Sequence, residues 1–104
     1  MRVIGVKRLR DFQAQHPVAS SALTNGHRVA TRANWERFAD VRQTYRTADR
    51  VVLPNGNEIT VFDIGAYRLL TYICYSARIV LLKEFLSHAE YDKESWKVRL
   101  DHDA

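Results

Sequence analysis

Two side chains that can transfer protons, His88 and Tyr91, stand three residues apart near the C-terminal end of the chain. On a helix this spacing places both on one face, where an imidazole and a phenol could act as general acid and base. They follow Ser87 in the stretch Ser87-His88-Ala89-Glu90, which has the Ser-x-x-Glu pattern of a capping box. The pattern predicts a helix that begins at His88, and it assigns Glu90 to the cap rather than to catalysis. The alternative is that His88 and Tyr91 only fill a seam between sheet and helix, and the spacing alone favours this alternative.

Two cations interrupt otherwise apolar strand patterns, Arg68 in residues 67–75 and Lys83 in residues 79–87. Since side chains alternate across a strand, we expect Arg68 to share a face with Leu70, Tyr72 and Cys74. In the second run the alternation groups Ile79, Leu81, Lys83, Phe85 and Ser87 against Val80, Leu82, Glu84 and Leu86. If both cations lie on the face that the helices leave uncovered, they form a basic, aromatic-lined concavity suited to single-stranded nucleic acid. The alternative is that each cation pairs with a carboxylate on a solvated face.

The composition is that of one globular domain over residues 1–104, with 46% hydrophobic and 27% charged residues. A formal net charge of +4 suits a polyanionic partner, and it equally suits a merely soluble basic domain. Cys74 is the only cysteine, which excludes an internal disulfide and agrees with the reducing cytoplasm where we expect the protein. No apolar run is long enough for a signal-peptide core or a membrane span. The histidines and the cysteine have no metal-ligand spacing.

Helical patterns dominate the first half of the chain and strand patterns the second. We expect a short strand at 2–6, helices at 7–15 and 18–34, and a third helix or irregular segment at 35–45. The turn Pro54-Asn55-Gly56 predicts a hairpin of residues 50–53 and 58–64, followed by the strands at 67–75 and 79–87. This order predicts an α+β fold. Two or three N-terminal helices would pack on one face of a mainly antiparallel sheet of four to five strands, with a short C-terminal helix.

Several short motifs follow one another in a characteristic order and spacing over about residues 1–97. They are Arg8-Leu9-x-x-Phe12 with His16-Pro17, Ala33-x-Trp35, Ala48-Asp49, Phe62-Asp63-Ile64-Gly65, Tyr67-Arg68-Leu69 and Ser87-His88-Ala89-Glu90-Tyr91-Asp92-Lys93. Together they resemble the HigB-type toxins of bacterial type II toxin–antitoxin pairs, a branch of the RelE-like mRNA interferases. The last motif is similar to the family's Thr-His-x-Glu-Tyr-Asp signature, with Ser87 in place of the threonine.

The resemblance implies a RelE-like fold and an endoribonuclease that cleaves mRNA on translating ribosomes and so inhibits translation and growth. It implies no metal and no other cofactor, and a 2′-hydroxyl that attacks the adjacent phosphodiester. Arg68 and Lys83 would then stabilise the charge on the phosphate, and His88 would be a general base or acid. Tyr91 would orient the phosphate, stack on a base or transfer the second proton. The implied partners are mRNA, the ribosome and a HigA-like helix-turn-helix antitoxin, with no membrane involved.

The basic residues of the N-terminal helices have two interpretations that the sequence leaves open. They could contact ribosomal RNA, or they could form a solvated helix face. The residues concerned are Lys7, Arg8, Arg10, Arg28 and Arg32.

Two departures from the family pattern bear on activity. The turn Gly65-Ala66 is about two residues shorter than the usual Gly-Gly-Asn-type turn, and Lys83 stands where an arginine is common. A lysine keeps the charge but lacks the bidentate fork of a guanidinium. These departures keep two further hypotheses open. One is a catalytically weak or inactive RNA- or ribosome-binding module of the same fold, and the other is a non-enzymatic interaction domain in which Arg68 and Lys83 are structural.

Overall fold

The computed structural model describes residues 1–102. The strands are β1 (Arg2–Ile4), β2 (Asp49–Val52), β3 (Glu58–Ile64), β4 (Tyr67–Cys74) and β5 (Ile79–Ser87). The helices are α1 (Val6–Gln15), α2 (Ser20–Arg32), α3 (Phe38–Thr44), α4 (His88–Asp92) and α5 (Ser95–Asp101), with a 3₁₀ turn at Pro17–Ala19. The α+β class is confirmed, and the limits of β3 and β5 are those predicted.

Within the described residues the strands form one sheet in the order β1-β5-β4-β3-β2. The chain's first strand pairs in parallel with β5, starting from Arg2 opposite Ile79, and the other neighbours are antiparallel. β5 therefore lies between the N-terminal strand and the two hairpins, and it leads directly into α4. Among residues 1–102 no helix is long and apolar enough to cross a membrane.

The N-terminal helices cover one face of the sheet. Leu9 of α1 and Leu23 of α2 are buried against Phe62, Val80 and Phe85 of the strands. The amphipathic spacing of the helices brings their apolar stripes onto this face, because that is the arrangement that removes them from water. This layer confirms the prediction of helices packed on one face.

The second face is not uncovered, contrary to our expectation, because α5 packs across it. Trp96 and Leu100 of α5 are 1% and 4% exposed and join Ile59, Leu70 and Leu86 in a second apolar cluster. Arg99 fixes the helix to the sheet, since its guanidinium donates to both carboxylate oxygens of Glu84 at 3.2 and 2.6 Å.

A β-bulge in β5 makes the predicted alternation wrong beyond Lys83. Leu70 pairs with Glu84, but the next residue of β4, Thr71, pairs with Leu82, so Lys83 has no opposite residue. Two residues instead of one, Lys83 and Glu84, therefore separate Leu82 from Phe85, the next side chain on the helix-covered face. As a result Phe85 lies on the helix-covered face with Val80 and Leu82, and Leu86 lies on the α5 face.

Candidate active site

A tight turn places Arg68 beside a carboxylate. Gly65 has a φ of +58°, which allows the two-residue turn Gly65-Ala66 and pairs Asp63 with Arg68 across the hairpin. Nε of Arg68 lies 3.0 Å from Oδ1 of Asp63, and Nη1 donates to the carbonyl of Tyr67 at 3.0 Å. The Arg68 side chain is 19% exposed, so it is held in place while one edge stays accessible. The shortened turn therefore orients Arg68 rather than displacing it.

The same turn also holds the start of α4. The carbonyl of Ala66 accepts a hydrogen bond from the backbone N–H of His88 at 3.0 Å. The capping box is confirmed, because Ser87 Oγ accepts from Glu90 N–H at 3.2 Å and Glu90 Oε1 accepts from Ser87 N–H at 3.3 Å. The N–H groups of His88 and Glu90 are thus already bonded, so this helix start is not the free anion site that a helix N-terminus can provide.

His88 lies between a cation and a carboxylate. Its Nδ1 is 3.4 Å from Nη2 of Arg68, and its Nε2 is 3.4 Å from Oδ2 of Asp92. Together with the ion pair of Arg68 this forms a continuous row, Asp63–Arg68–His88–Asp92, which we call the site row. The His88 side chain is 58% exposed, so a substrate can reach it. The geometry joins a fixed positive charge to a proton-transfer group, which is the pairing that phosphate chemistry requires.

Tyr91 is anchored beside this row. Its ring stacks on Trp96 with centroids 5.3 Å apart, and it packs against the second apolar cluster. Burial raises the pKa of the Tyr91 phenol above its usual value, and the nearby Asp49 carboxylate adds to the rise while Arg68 opposes it. At neutral pH the phenol is therefore protonated and can donate a hydrogen bond or a proton.

Lys83 lies on the same face as Arg68 but at another level of the strands. Its Nζ is 5.2 Å from the centre of the Tyr72 ring, and the Tyr72 hydroxyl donates to the carbonyl of Leu100 at 3.3 Å. Tyr72 follows Arg68 by four residues along β4, which corresponds to about 13 Å of strand. Arg68, His88 and Tyr91 are thus brought together, whereas Lys83 lies in the bulge beside Tyr72.

One comparison with known protein families gives a match. A family model described as HigB_toxin, RelE-like toxic component of a toxin–antitoxin system, matches residues 19–94. The chain belongs to the HigB toxin family. The match runs from the start of α2 past the end of α4, so it includes all four residues that the sequence singled out in this HigB-family chain. It confirms the resemblance and, with it, a toxin that has an antitoxin partner. The comparison with curated proteins gave no match.

Sequence reasoning missed two members of the site row in the HigB-family chain, Asp63 and Asp92. The signals were present. A two-residue turn at Gly65-Ala66 places Asp63 opposite Arg68, and His88 and Asp92 have the i, i+4 spacing of helix neighbours. Within residues 1–102, no group of three or more His, Cys, Asp or Glu side chains is arranged to hold a metal ion.

One of the basic helix residues has a structural contact in the HigB-family chain. Arg8 of α1 donates to the carbonyl of Lys83 at 2.8 Å, and so it bonds the backbone at the bulge. Lys7 and Arg10 are exposed on the same helix. Arg8 therefore has a structural role at the sheet. For Lys7 and Arg10 both interpretations, contact with RNA and a solvated helix face, stay open.

Proposed function

We propose that the chain is an mRNA-cleaving toxin, a metal-independent endoribonuclease that acts on translating ribosomes in the cytoplasm and inhibits translation and growth. The observation that carries this proposal is the 3.4 Å approach of Arg68 Nη2 to His88 Nδ1 in a member of the HigB toxin family. Cleavage through the 2′-hydroxyl needs a base for that hydroxyl, a cation for the phosphate and an acid for the 5′-oxygen. Our candidates for the base and the cation, His88 and Arg68, are adjacent.

Arg68 is the residue that we assign to the phosphate. Its Nε and Nη1 are engaged by Asp63 and the Tyr67 carbonyl, which leaves Nη2 directed at the open side of the site. A guanidinium held in this way meets the charge that develops on the phosphoryl oxygens without first having to reorient. Lys83, in the bulge, would contact a neighbouring phosphate of the same RNA strand, while Tyr72 beside it offers an aromatic ring.

The proton-transfer roles follow from the protonated state of Tyr91. Because burial raises the pKa of Tyr91, its phenol is a donor at neutral pH and cannot serve as the base. We therefore assign the 2′-hydroxyl proton to His88, and we assign to Tyr91 the orientation of the phosphate or the donation of a proton to the leaving 5′-oxygen. Stacking of a base on the exposed part of the Tyr91 ring is compatible with either role.

The partners follow from the family and the charge. An antitoxin is part of the family's definition, and we propose one that carries a helix-turn-helix domain, like HigA. The exposed cations of α1 and α2 would contact ribosomal RNA, because such docking neutralises phosphates with Lys and Arg. This contact would weaken as salt is raised.

Induced expression in a bacterium tests the proposal. Wild-type protein should arrest growth and yield cleaved, translated mRNA, and His88→Ala and Arg68→Ala should each abolish both effects. His102→Ala is the matched control for the histidine, since His102 is exposed in α5's last turn region. Arg78→Ala is the control for the arginine, because Arg78 likewise bonds one carboxylate, Glu36, and one backbone carbonyl.

Two outcomes would decide against the proposal. If soluble wild-type protein affects neither growth nor mRNA, the chain is not a nuclease of this kind. Ribosome binding without cleavage would favour the inactive RNA-binding module. The position of Lys83, far along the strands from Arg68, is the observation that keeps this second function in view. Arrest that survives both His88→Ala and Arg68→Ala would instead overturn the assignment of the site.

A further inference from the structure

The contacts of His88 in the site row favour one position for its ring proton. A guanidinium has only donors, so the contact between Arg68 Nη2 and His88 Nδ1 is favourable only with a lone pair on Nδ1. In a neutral imidazole the proton then resides on Nε2, and Nε2 lies 3.4 Å from the acceptor Oδ2 of Asp92. Both neighbours favour the same tautomer, one from each side of the ring.

We propose that Asp63 and Asp92 are positioning residues, which act through Arg68 and His88 to present an unprotonated Nδ1 to the substrate. The catalytic consequence rests on the function proposed above, whereas the tautomer itself does not. Neither carboxylate needs to touch the RNA. Each instead fixes a group that does.

Asp63 acts by fixing the plane of the guanidinium. With Nε held by Asp63 at 3.0 Å and Nη1 held by the Tyr67 carbonyl at 3.0 Å, the remaining nitrogen, Nη2, has one direction left, toward His88. The direct pairing of Asp63 with Arg68 across the tight turn sets this geometry from the backbone. Loss of the Asp63 carboxylate would free the guanidinium to rotate and release Nδ1 from its cation.

Asp92 acts on the other side of the ring. Its Oδ2 lies 3.4 Å from Nε2 in the resting state, where its charge favours a proton on Nε2, and it stabilises the imidazolium that forms when Nδ1 takes a proton. In the reaction the phosphate replaces Nδ1 as the acceptor for Arg68 Nη2, while Asp63 and the Tyr67 carbonyl keep the guanidinium in place. The 2′-hydroxyl proton then passes to Nδ1, the 2′-oxygen bonds to phosphorus, and the bond from phosphorus to the 5′-oxygen breaks. The 5′-oxygen takes a proton from the acid, so that a 2′,3′-cyclic phosphate and a 5′-hydroxyl result.

Ring-nitrogen NMR of the ¹⁵N-histidine-labelled full chain tests the tautomer without any RNA. At a pH where the rings are neutral, His88 should show Nε2–H almost alone, and the exposed His102 in the same spectrum should show the mixture of an unconstrained ring. Asp63→Asn and Asp92→Ala should both move His88 toward the His102 pattern. Glu36→Gln, which neutralises the exposed partner of Arg78, should leave His88 unchanged.

Kinetics supplies the second readout. Asp63→Asn should lower kcat about ten- to a hundredfold with little change in KM, because the site is misaligned rather than emptied. Asp63→Glu should recover part of the loss, and Glu36→Gln should cleave as the wild type does. Asp92→Ala should likewise lower kcat, whereas its control Asp11→Ala should not. Both acids are exposed, so neither substitution should prevent folding.

The outcomes are separable. A His88 spectrum that already matches His102, or that ignores both site-row variants, would overturn the inference whatever the activity. A wild type that shows the expected tautomer but cleaves no RNA would remove the proposed function and leave the positioning by Asp63 and Asp92 standing. Equal kinetics for Asp63→Asn and Glu36→Gln would overturn the catalytic consequence.

Discussion

Tyr91 and Trp96 are stacked with their ring planes 11° from parallel, and Nε1 of Trp96 donates to the backbone carbonyl of Tyr91 at 3.0 Å. Trp96 is 1% exposed and fixed in the second apolar cluster, so its stacking also fixes the position of Tyr91 beside the site row. These contacts thus hold Tyr91 through its ring and its backbone, and the hydroxyl is the part of the side chain to which we assign chemistry.

Tyr91→Phe should separate these two parts of the side chain. The stacking and the backbone bond remain, so we expect the free energy of unfolding to change by less than about 1 kcal/mol. Cleavage should fall at least about tenfold if the hydroxyl donates to phosphate or leaving group. Urea unfolding and single-turnover cleavage measure the two effects. Tyr45→Phe, which removes another half-buried hydroxyl within the helix-side cluster, is the control and should cleave normally.

The stability of the protein should decline at alkaline pH. Burial raises the pKa of Tyr45, Tyr75 and Tyr91 above the usual value of 10.0, so the folded state holds these protons more tightly than the unfolded state. The resulting stability is fully present below about pH 10 and is lost as the pH rises through the folded-state pKa values. Urea midpoints from about pH 8 to about pH 11.5 should therefore fall, and fall less in Tyr91→Phe. Midpoints that stay level or rise would contradict this.

Gly26→Ala should stabilise the protein by about 1 kcal/mol, because an alanine in a helix interior costs less backbone entropy than a glycine. The new Cβ would meet only the Tyr45 hydroxyl, at 3.8 Å, and it would border an apolar cavity of about 40 Å³. Gly65→Ala is the comparison, since nothing lies within 4 Å of a Cβ there but φ is +58°. It should cost about 1 kcal/mol through backbone strain alone. Thermal and urea unfolding of both variants check the opposite signs.

Glu90→Gln should leave cleavage unchanged, because Glu90 is a cap. A glutamine Oε1 can still accept from the backbone N–H and hydroxyl of Ser87, which now donate to Glu90 at 3.3 and 3.1 Å. Ser87→Ala removes the acceptor for the Glu90 N–H and should cost about 1 kcal/mol of stability. Cleavage assays with unfolding curves distinguish the roles. A loss of orders of magnitude in Glu90→Gln at normal stability would make Glu90 a catalytic residue.

Much of the fold could be predicted because local rules agreed with the tertiary structure. The Pro54-Asn55-Gly56 turn, the alternation along β4 and the capping box at Ser87 all formed as their residue types dictate. The bulge at Lys83–Glu84 could not be predicted in this way. Phe85 and Leu86 are both apolar, so either could face either layer, and two adjacent polar residues do not reveal which one the register with β4 skips.

The candidate site could be predicted only in part, for a different reason. Motif residues such as Arg68 and His88 carry a recognisable signal, but Asp63 gains its role only when a turn of minimal length puts it opposite Arg68. The position of Lys83 depends on the bulge, and the cover of the second face depends on α5, whose Trp96 and Leu100 pack against the sheet only once the chain has turned after α4. These are relations between elements, which spacing along one element does not contain.

The parallel pairing of β1 with β5 has a consequence for the folding of the chain during its synthesis. Arg2 can pair only after Ile79 has been synthesised, and β5, the strand that contains Ile79, leads directly to His88 of the site row. Domains tend to fold as units once their contacts can form, and contacts between distant parts of a chain form slowly. A nascent chain therefore cannot complete its sheet, or assemble Arg68 and His88 into one place, until synthesis has passed β5. The order of the strands thus delays the appearance of the site until nearly the whole chain has been made.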